Sequence, residues 1–230
     1  MKEDLKLKFL HIFFPNKCPS CHKIIYYNDL FCNDCFKELV LPKGERCEVC
    51  FSLKEKCDCN KNPKFYFRSI SPFVYDKSVK NSLITLKRIK LDRLFEFYAD
   101  KMADMVNNKY KDVVFDAIIP VPMYKEKLKN RGYNQSELLA KKLSEKLNIP
   151  ILKNVLTQNE EAKSQHTLSY KERLKNVKGI YRSGGIPIEC QRVLLVDDIM
   201  TSGATLNECA KMMRLEGVTK IYCVTVAKSE

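Results

Sequence analysis

The chain lacks the long apolar run that a membrane-spanning helix requires. No stretch approaches the roughly 18 to 20 consecutive apolar residues that cross a bilayer. The N-terminal segment Met1–Pro15 mixes apolar with charged residues, has acidic residues at its front and is followed by no small-residue cleavage site, unlike a secretory signal peptide. It predicts an amphipathic helix that packs on the rest of the protein, with contact to a membrane surface as the alternative. We therefore expect a cytoplasmic protein that is not an integral membrane protein.

Internal repeats, low-complexity tracts and a cysteine–histidine pairing suited to nucleophilic catalysis are also lacking. With three histidines in 230 residues, a thiol enzyme with a histidine base is not indicated. Acidic residues are in the minority, since 28 Asp and Glu stand against 41 Lys and Arg, a formal net charge of +13. That excess favours an anionic partner, either phosphorylated metabolites or nucleic acid, although a Lys-rich composition alone is weak evidence.

Cysteine, in contrast, is plentiful and unevenly placed. Eight of the eleven cysteines fall between positions 18 and 59, in pairs separated by two residues or, in the last pair, by one. Two such knuckles supply the four thiolates of a tetrahedral structural zinc site, and in a cytoplasmic protein this spacing indicates zinc rather than disulfides. The candidate metal ligands are Cys18, Cys21, Cys32, Cys35, Cys47, Cys50, Cys57 and Cys59.

The pairing of these knuckles and the number of zinc ions, one or two, stay open. Sequential pairing, the first knuckle with the second and the third with the fourth, is the simplest arrangement, and a cross-braced one would join the first to the third. Cys57 and Cys59 make a tighter bite than usual, so the second quartet is the weaker signal. His22 is either a substitute ligand or a solvated surface residue. With few large apolar residues, segment 18–60 is expected to need metal in order to fold.

Residues 65–230 carry the pattern of an α/β domain. The polar segment 60–64 interrupts the pattern, so we expect an N-terminal helix and zinc-ribbon module in residues 1–64 and a larger domain in residues 65–230. Asn134 or Ser136 is expected to cap the third helix. Strands that alternate with helices predict a doubly wound, mostly parallel sheet. The predicted strands are 67–75, 115–119, 149–156, 192–197 and 219–226. The first of these contains Ser and Pro, which are typical of an edge strand. The predicted helices are 78–89, 94–106, 137–147 and 203–216.

The most informative stretch is 193–205, Val-Leu-Leu-Val-Asp-Asp-Ile-Met-Thr-Ser-Gly-Ala-Thr. An apolar strand ends in Asp197 and Asp198, where open α/β sheets bind ligands. The helix that follows offers free N–H groups and the positive end of its dipole to a phosphate. Helix capping is the alternative, but it would explain one Asp or Thr rather than the whole set. Paired carboxylates for sugar hydroxyls therefore predict a site for a 5-phosphorylated ribose, with a phosphate loop formed by Thr201, Ser202, Gly203, Ala204 and Thr205.

A basic loop follows the predicted strand 115–119. Basic residues interleaved with aromatic ones fit a groove that follows nucleic-acid phosphates while rings stack on bases, and the plainer interpretation of the tyrosines is packing in the core or at its rim. The basic residues of helix 78–89 are interpreted as a solvated face, and the polar stretch 157–178 as an exposed excursion. The residues of the basic loop are Tyr124, Lys125, Lys127, Lys129, Arg131 and Tyr133.

Two resemblances join these motifs. The stretch 193–205 resembles the phosphoribosyl pyrophosphate (PRPP) signature of type I phosphoribosyltransferases. The order of a cysteine-rich module, a Val-Pro loop, the segment Arg131-Gly132-Tyr133-Asn134-Gln135 and the Asp-Asp motif resembles the ComF (ComFC) family over nearly the whole chain. ComF proteins resemble phosphoribosyltransferases in fold and are implicated in natural transformation, where incoming single-stranded DNA is handled in the cytoplasm.

The resemblance implies a type I phosphoribosyltransferase-like sheet that binds PRPP with Mg²⁺. Asp197 and Asp198 would hold the ribose 2′- and 3′-hydroxyls, and the basic loop would contact the pyrophosphate. The stretch 157–178 would cover the site and contribute Arg173, which makes Asp197, Asp198 and Arg173 the candidates for catalysis. The partners implied are single-stranded DNA and a competence helicase.

Two classes of function follow from this resemblance. The first is a PRPP-binding accessory protein that handles single-stranded DNA during uptake. The second is an active phosphoribosyltransferase on an unidentified acceptor in nucleotide metabolism, in which metal and Lys or Arg groups stabilise the departing charge. Pro120-Val121-Pro122 stands where many active type I enzymes have a small or Gly-containing pyrophosphate loop, which weakens the case for turnover.

Overall fold

The computed structural model describes residues 13–159 and 179–230. The predicted N-terminal amphipathic helix and most of the excursion 157–178, with Arg173, lie outside the described part of the chain. None of the described helices is both long and apolar enough to cross a bilayer. In the described ranges the strands are β1 (Arg68–Ile70), β2 (Phe73–Val74), β3 (Ala117–Pro120), β4 (Leu156–Gln158), β5 (Tyr181–Ser183), β6 (Arg192–Met200) and β7 (Lys220–Lys228), and the helices are α1 (Asn33–Lys37), α2 (Lys77–Arg88), α3 (Asp92–Lys109), α4 (Lys125–Arg131), α5 (Gln135–Leu147) and α6 (Ala204–Leu215).

A five-stranded parallel sheet forms the centre of the larger module, which confirms the predicted fold class. Strands β7 and β6 lie in its middle, β3 pairs with the far side of β6, and β1 and β2 both pair with the far side of β7. The predicted strand 67–75 does lie at an edge, and it is divided at Ser71-Pro72 because a proline has no N–H for the ladder.

Alternation along the strands divides the apolar core into two layers. Leu194 and Val196 join the layer that contains α2, α3 and α5, whereas Val193 and Leu195 join the layer that contains α6. Successive side chains of a strand point to opposite faces, so a strand covered on both faces needs a continuous apolar run. The run 193–196 is therefore explained by burial on both sides of β6.

The start of α5 is fixed at the carboxyl edge of the sheet. Asn134, one of the two predicted caps, accepts a hydrogen bond from the Ser136 N–H at 3.0 Å and donates one from Nδ2 to the carbonyl of Val121 at 2.9 Å. Helix α5 then packs along α3, where Lys142 lies 2.7 Å from Glu96. These contacts bring the first turn of α5 next to the end of β6.

The basic segment after β3 differs from its predicted loop conformation. Residues 125–131 form the helix α4, which ends at Gly132. Gly132 has φ +83°, the left-handed conformation that favours glycine after a helix. Pro120 and Pro122 precede α4. Pro120 is the last residue of β3, and the helix begins five residues after it, at Lys125.

The predicted strand 149–156 also differs from the structure. Ile151 contributes a single bridge to Ile118, and regular pairing begins only at β4, which is antiparallel to β5 in a separate two-stranded sheet. Asn148 and Asn154 adopt left-handed conformations with φ +52° and +62°. Because an extended strand cannot pass through such residues, the segment does not join the main sheet as a strand.

The cysteine-rich module packs against the edge of the sheet that β1 and β2 form. The Val74 N–H donates to the carbonyl of Val40 at 2.9 Å, and the Ser69 hydroxyl donates to the carbonyl of Val49 at 2.8 Å. Cys35 belongs to the core layer of α3, whereas Cys50 belongs to that of α6. The module therefore shares its core with both faces of the sheet.

Candidate functional site

The carboxyl edge of the sheet opens into a cleft of about 500 Å³. It lies between the end of β6, the loop after β3 and the first turns of α5 and α6, and Gln158 of β4 and Tyr181 of β5 line it too. The structure brings Asp197, Asp198 and the predicted phosphate loop 201–205 together in this cleft. Tyr181 was not predicted as a site residue, because it lies outside every sequence motif.

Asp197 is held by hydrogen bonds at the end of β6. Its Oδ1 accepts from the Ser136 hydroxyl at 2.8 Å and from the Asp198 N–H at 2.9 Å. Burial and the neighbouring carboxylate of Asp198 raise the pKa of Asp197 to about 7, against the opposing effect of the Ser136 hydrogen bond. Asp197 is thus harder to ionise than a solvent-exposed carboxyl group.

Asp198 is instead kept ionised by a cation from α2. Lys87 Nζ lies 2.8 Å from Asp198 Oδ2. Burial alone would raise the pKa of Asp198, but the Lys87 ammonium outweighs it and lowers that pKa, and the charge of Arg131 adds to the effect. The same ion pair raises the pKa of Lys87 despite its burial. The two adjacent carboxyl groups therefore differ in their readiness to ionise.

Lys87 is a site residue that the sequence interpretation missed, because it was grouped with the solvated basic face of its helix. Its side chain is only 32% exposed. Val79, Leu83 and Lys87 recur every four residues, so Lys87 continues the buried stripe of α2 toward the cleft. This spacing was the signal that could have identified it.

The phosphate loop turns sharply from β6 into α6. Gly203 has φ +74°, and a Cβ atom there would lie 3.0 Å from Met200 Cε and 3.1 Å from Tyr66 Oη. Conformation and space therefore both require glycine. Lys228 Nζ donates to the carbonyl of Thr201 at 2.9 Å, which fixes the other end of the turn. The Ala204 N–H at the start of α6 donates to the Ser202 hydroxyl at 3.3 Å, and a helix N-terminus of this kind favours an anion.

Only part of the predicted basic loop reaches the cleft. Tyr124, Lys127 and Arg131 line it, whereas Lys125 and Lys129 do not. Residues 127 and 131 are four apart on α4 and share a face of that helix, whereas Lys125 and Lys129 lie on another.

Tyr133 does not line the cleft either. Its hydroxyl donates to the carbonyl of Leu86 at 2.7 Å, and its ring packs edge-on against Phe95. The plainer interpretation, rim packing, describes Tyr133 in this structure.

The eight clustered cysteines form two separate groups, in sequential pairing. The first contains Cys18, Cys21, Cys32 and Cys35 and the second contains Cys47, Cys50, Cys57 and Cys59, with the sulfur atoms of each group within 4.8 Å of one another. The cross-braced alternative is wrong, because no group mixes the first knuckle with the third among the described residues. His22 belongs to neither group.

The sulfur geometry fits tetrahedral zinc. Tetrahedral bonds of about 2.3 Å place neighbouring sulfurs about 3.8 Å apart. The Sγ–Sγ distances are 3.6 Å for Cys21–Cys32, 4.0 Å for Cys47–Cys59 and 3.7 Å for Cys50–Cys57. The tighter knuckle of the second quartet therefore closes a site of the same size as the first.

Comparisons with known proteins match both modules. Residues 9–60 match the family model of the double zinc ribbon domain, and residues 128–230 match that of the phosphoribosyl transferase domain. The double zinc ribbon agrees with the two cysteine groups and supports structural zinc in both.

Curated relatives were also found. The chain is 30% identical over 230 residues to competence protein F of Haemophilus influenzae, which covers 96% of this chain and 93% of that protein. It is 25% identical over 196 residues to competence protein ComFC of Bacillus subtilis, with 81% and 78% covered. It is 32% identical over 111 residues to the DNA utilization protein YhgH of Escherichia coli, with 47% and 48% covered. Because the match to competence protein F runs through both modules and nearly the full length of both chains, this chain belongs to the ComF family of competence protein F and ComFC.

Proposed function

We propose that the cleft binds PRPP together with Mg²⁺. The observation that carries this proposal is the pair of carboxyl groups at the end of β6 beside a glycine-dependent phosphate loop at the start of α6. Asp197 and Asp198 would accept hydrogen bonds from the ribose 2′- and 3′-hydroxyls. The N–H groups and hydroxyls of residues 201–205 would surround the 5-phosphate.

The diphosphate of the ligand would lie toward the loop after β3. Lys87, Lys127 and Arg131 line that side of the cleft and supply positive charge. The residues present also fit Mg²⁺, since this cation binds through one or two carboxylates together with substrate phosphates and retained waters. When bound, Mg²⁺ would neutralise charge on the diphosphate.

At the level of the cell, we propose a role in DNA uptake during natural transformation, in which the protein handles incoming single-stranded DNA in the cytoplasm. Support comes from the names of the curated relatives, competence protein F, ComFC and DNA utilization protein YhgH, and from the net charge of +13. A competence helicase as partner and Arg173 as a cation that acts at the cleft stay predictions.

An active phosphoribosyltransferase is the second candidate. The observation that favours it is that Lys87, Lys127 and Arg131 line the cleft, where they would stabilise the charge of a departing pyrophosphate. Pyrophosphate release with candidate acceptors, measured with and without single-stranded DNA, separates the two functions. Binding of PRPP without release favours the accessory role.

The ligand assignment is tested by calorimetry of PRPP with Mg²⁺. In the double variant Asp197→Asn with Asp198→Asn, we expect affinity to fall about 100-fold or more, because two charge-assisted hydrogen-bond acceptors are lost at about 1.5 kcal/mol each. Asp112→Asn, on the surface, is the control for the change in charge and should bind as the wild type does. Affinity within a factor of three of the wild type in the double variant would contradict the ribose assignment.

A further inference from the structure

A second cavity of about 420 Å³ lies beside the cleft, between the end of α2 and α4. We call it the α2–α4 groove. It is almost as large as the cleft itself, and Arg88, Glu126 and Asn130 line the groove but not the cleft. The full set of groove residues is Lys87, Arg88, Glu126, Lys127, Asn130 and Arg131.

The groove carries an uncompensated positive charge. Lys87 is neutralised by Asp198, which leaves Arg88, Lys127 and Arg131 against the single carboxylate of Glu126. Within the described ranges, none of these three cations makes an ion pair with any carboxylate. Arg88 and Lys127 are exposed and Arg131 is half-buried, so three cations without a carboxylate partner line one groove. Such a concentration of like charge favours an anionic ligand.

The groove and the cleft also share cations. Lys87, Lys127 and Arg131 line both cavities, and the charge of Arg131 acts on Asp198 in the cleft. The two cavities therefore form one continuous basic path that leads from the carboxylate pair to the outer surface of α4.

We propose that the α2–α4 groove binds the phosphate backbone of single-stranded DNA, and that the strand competes there with the diphosphate of the cleft ligand. This inference rests on the proposed function and adds the place and the regulation of DNA binding. Arg88, Lys127 and Arg131 hold successive backbone phosphates, and Tyr124, at the mouth of the cleft next to Lys127, offers a ring on which a base can stack. Because Lys127 and Arg131 serve both ligands, each ligand weakens the binding of the other by the same factor.

The test is fluorescence anisotropy of a labelled oligothymidylate of about 16 nucleotides, titrated at several salt concentrations. Arg88→Ala removes one phosphate contact. The slope of log K against log salt should therefore fall by about 0.7, which is about fivefold in affinity at 0.1 M salt. Lys129→Ala is the matched control, since it removes a cation of α4 that lies outside the groove. Arg88→Ala should leave the calorimetric affinity for PRPP unchanged.

The competition is measured in the same assay with wild-type protein. Saturating PRPP with Mg²⁺ should release the oligonucleotide, and pyrophosphate with Mg²⁺ should do so more weakly because it lacks the ribose contacts. If Arg88→Ala and Lys129→Ala bind DNA with equal affinity and equal salt dependence, the groove is not the DNA-binding site, although DNA binding by the protein still stands. DNA affinity indifferent to saturating PRPP would overturn the competition. Absence of DNA binding by the wild type would refute both the groove and the DNA part of the proposed function, whereas PRPP binding is decided separately by calorimetry.

Discussion

The ion pair between Lys87 and Asp198 should be a measurable source of stability. Lys87→Met keeps the length of the side chain and its apolar contacts in α2 but removes the ammonium. Asp198 is then left beside Asp197 without its ion-pair partner. We expect Lys87→Met to be destabilised more than the double variant Lys87→Met with Asp198→Asn, because only the single variant retains an unpaired carboxylate in the cleft.

The magnitude follows from the distance and the exposure of the pair. At 2.8 Å the direct attraction is about 6 kcal/mol for an effective dielectric constant of about 20, and the desolvation of both groups offsets most of it. The side chains are 32% and 15% exposed, between a surface pair and a buried one. We therefore expect a coupling energy of about 2 kcal/mol, between the roughly 0–1 kcal/mol of surface pairs and the 3–5 kcal/mol of buried ones.

The assay is a double-mutant cycle on urea unfolding of the zinc-loaded protein at neutral pH. The pKa of Asp198 is lowered in the folded state. The stabilisation by the pair is therefore present above the unfolded pKa of about 3.9 and lost as the pH falls through the folded value. The exposed pair Lys101 and Asp104, 4.0 Å apart, is the control, with an expected coupling below about 0.5 kcal/mol. A coupling that small for Lys87 and Asp198 would refute the reasoning.

Two further changes test the frame around the cleft. Gly203→Ala should destabilise the protein by about 1–2 kcal/mol through its positive φ, and by more through contact with Met200 and Tyr66. Gly132→Ala, with φ +83° and open space around it, measures the conformational part alone in the same urea assay, and equal losses would contradict the crowding at Gly203. Removal of zinc by a chelator should unfold the cysteine-rich module, because thiolate–metal bonds replace the apolar core that it lacks. Circular dichroism and protease digestion measure that loss, and unchanged traces would show that metal is not what holds the module together.

The features that were predictable from the sequence depend on residues that are near one another in the chain. Each cysteine quartet joins neighbouring knuckles, ten and six residues apart. The strand, loop and helix of 193–205 are contiguous, so the position of Asp197 and Asp198 at the end of β6 follows from local pattern alone. The same local alternation of strand and helix predicted the parallel sheet.

The features that the sequence did not reveal depend on tertiary contacts or belong to a helix without buried residues. Helix α4 has no buried residues, and hydrophobic periodicity arises only where a helix buries a face, so its sequence resembled a basic loop. The contact of Lys87 with Asp198 joins α2 to β6 across the fold, and only packing reveals it. The hydroxyl of Tyr133 likewise finds its acceptor on another helix, a contact that decides between the two interpretations, base stacking and rim packing, that the sequence left open.

The contacts from Val40 and Val49 to β2 and β1 have a consequence beyond this molecule. An edge strand of a parallel sheet exposes a row of unused N–H and C=O groups, and such a row is a template on which another chain can add a strand. Here the cysteine-rich module lies against that edge and its Val40 carbonyl accepts from the Val74 N–H. If loss of zinc unfolds the module, as we expect, this edge becomes exposed, and the zinc-free protein should be more prone to intermolecular strand pairing than the zinc-loaded protein.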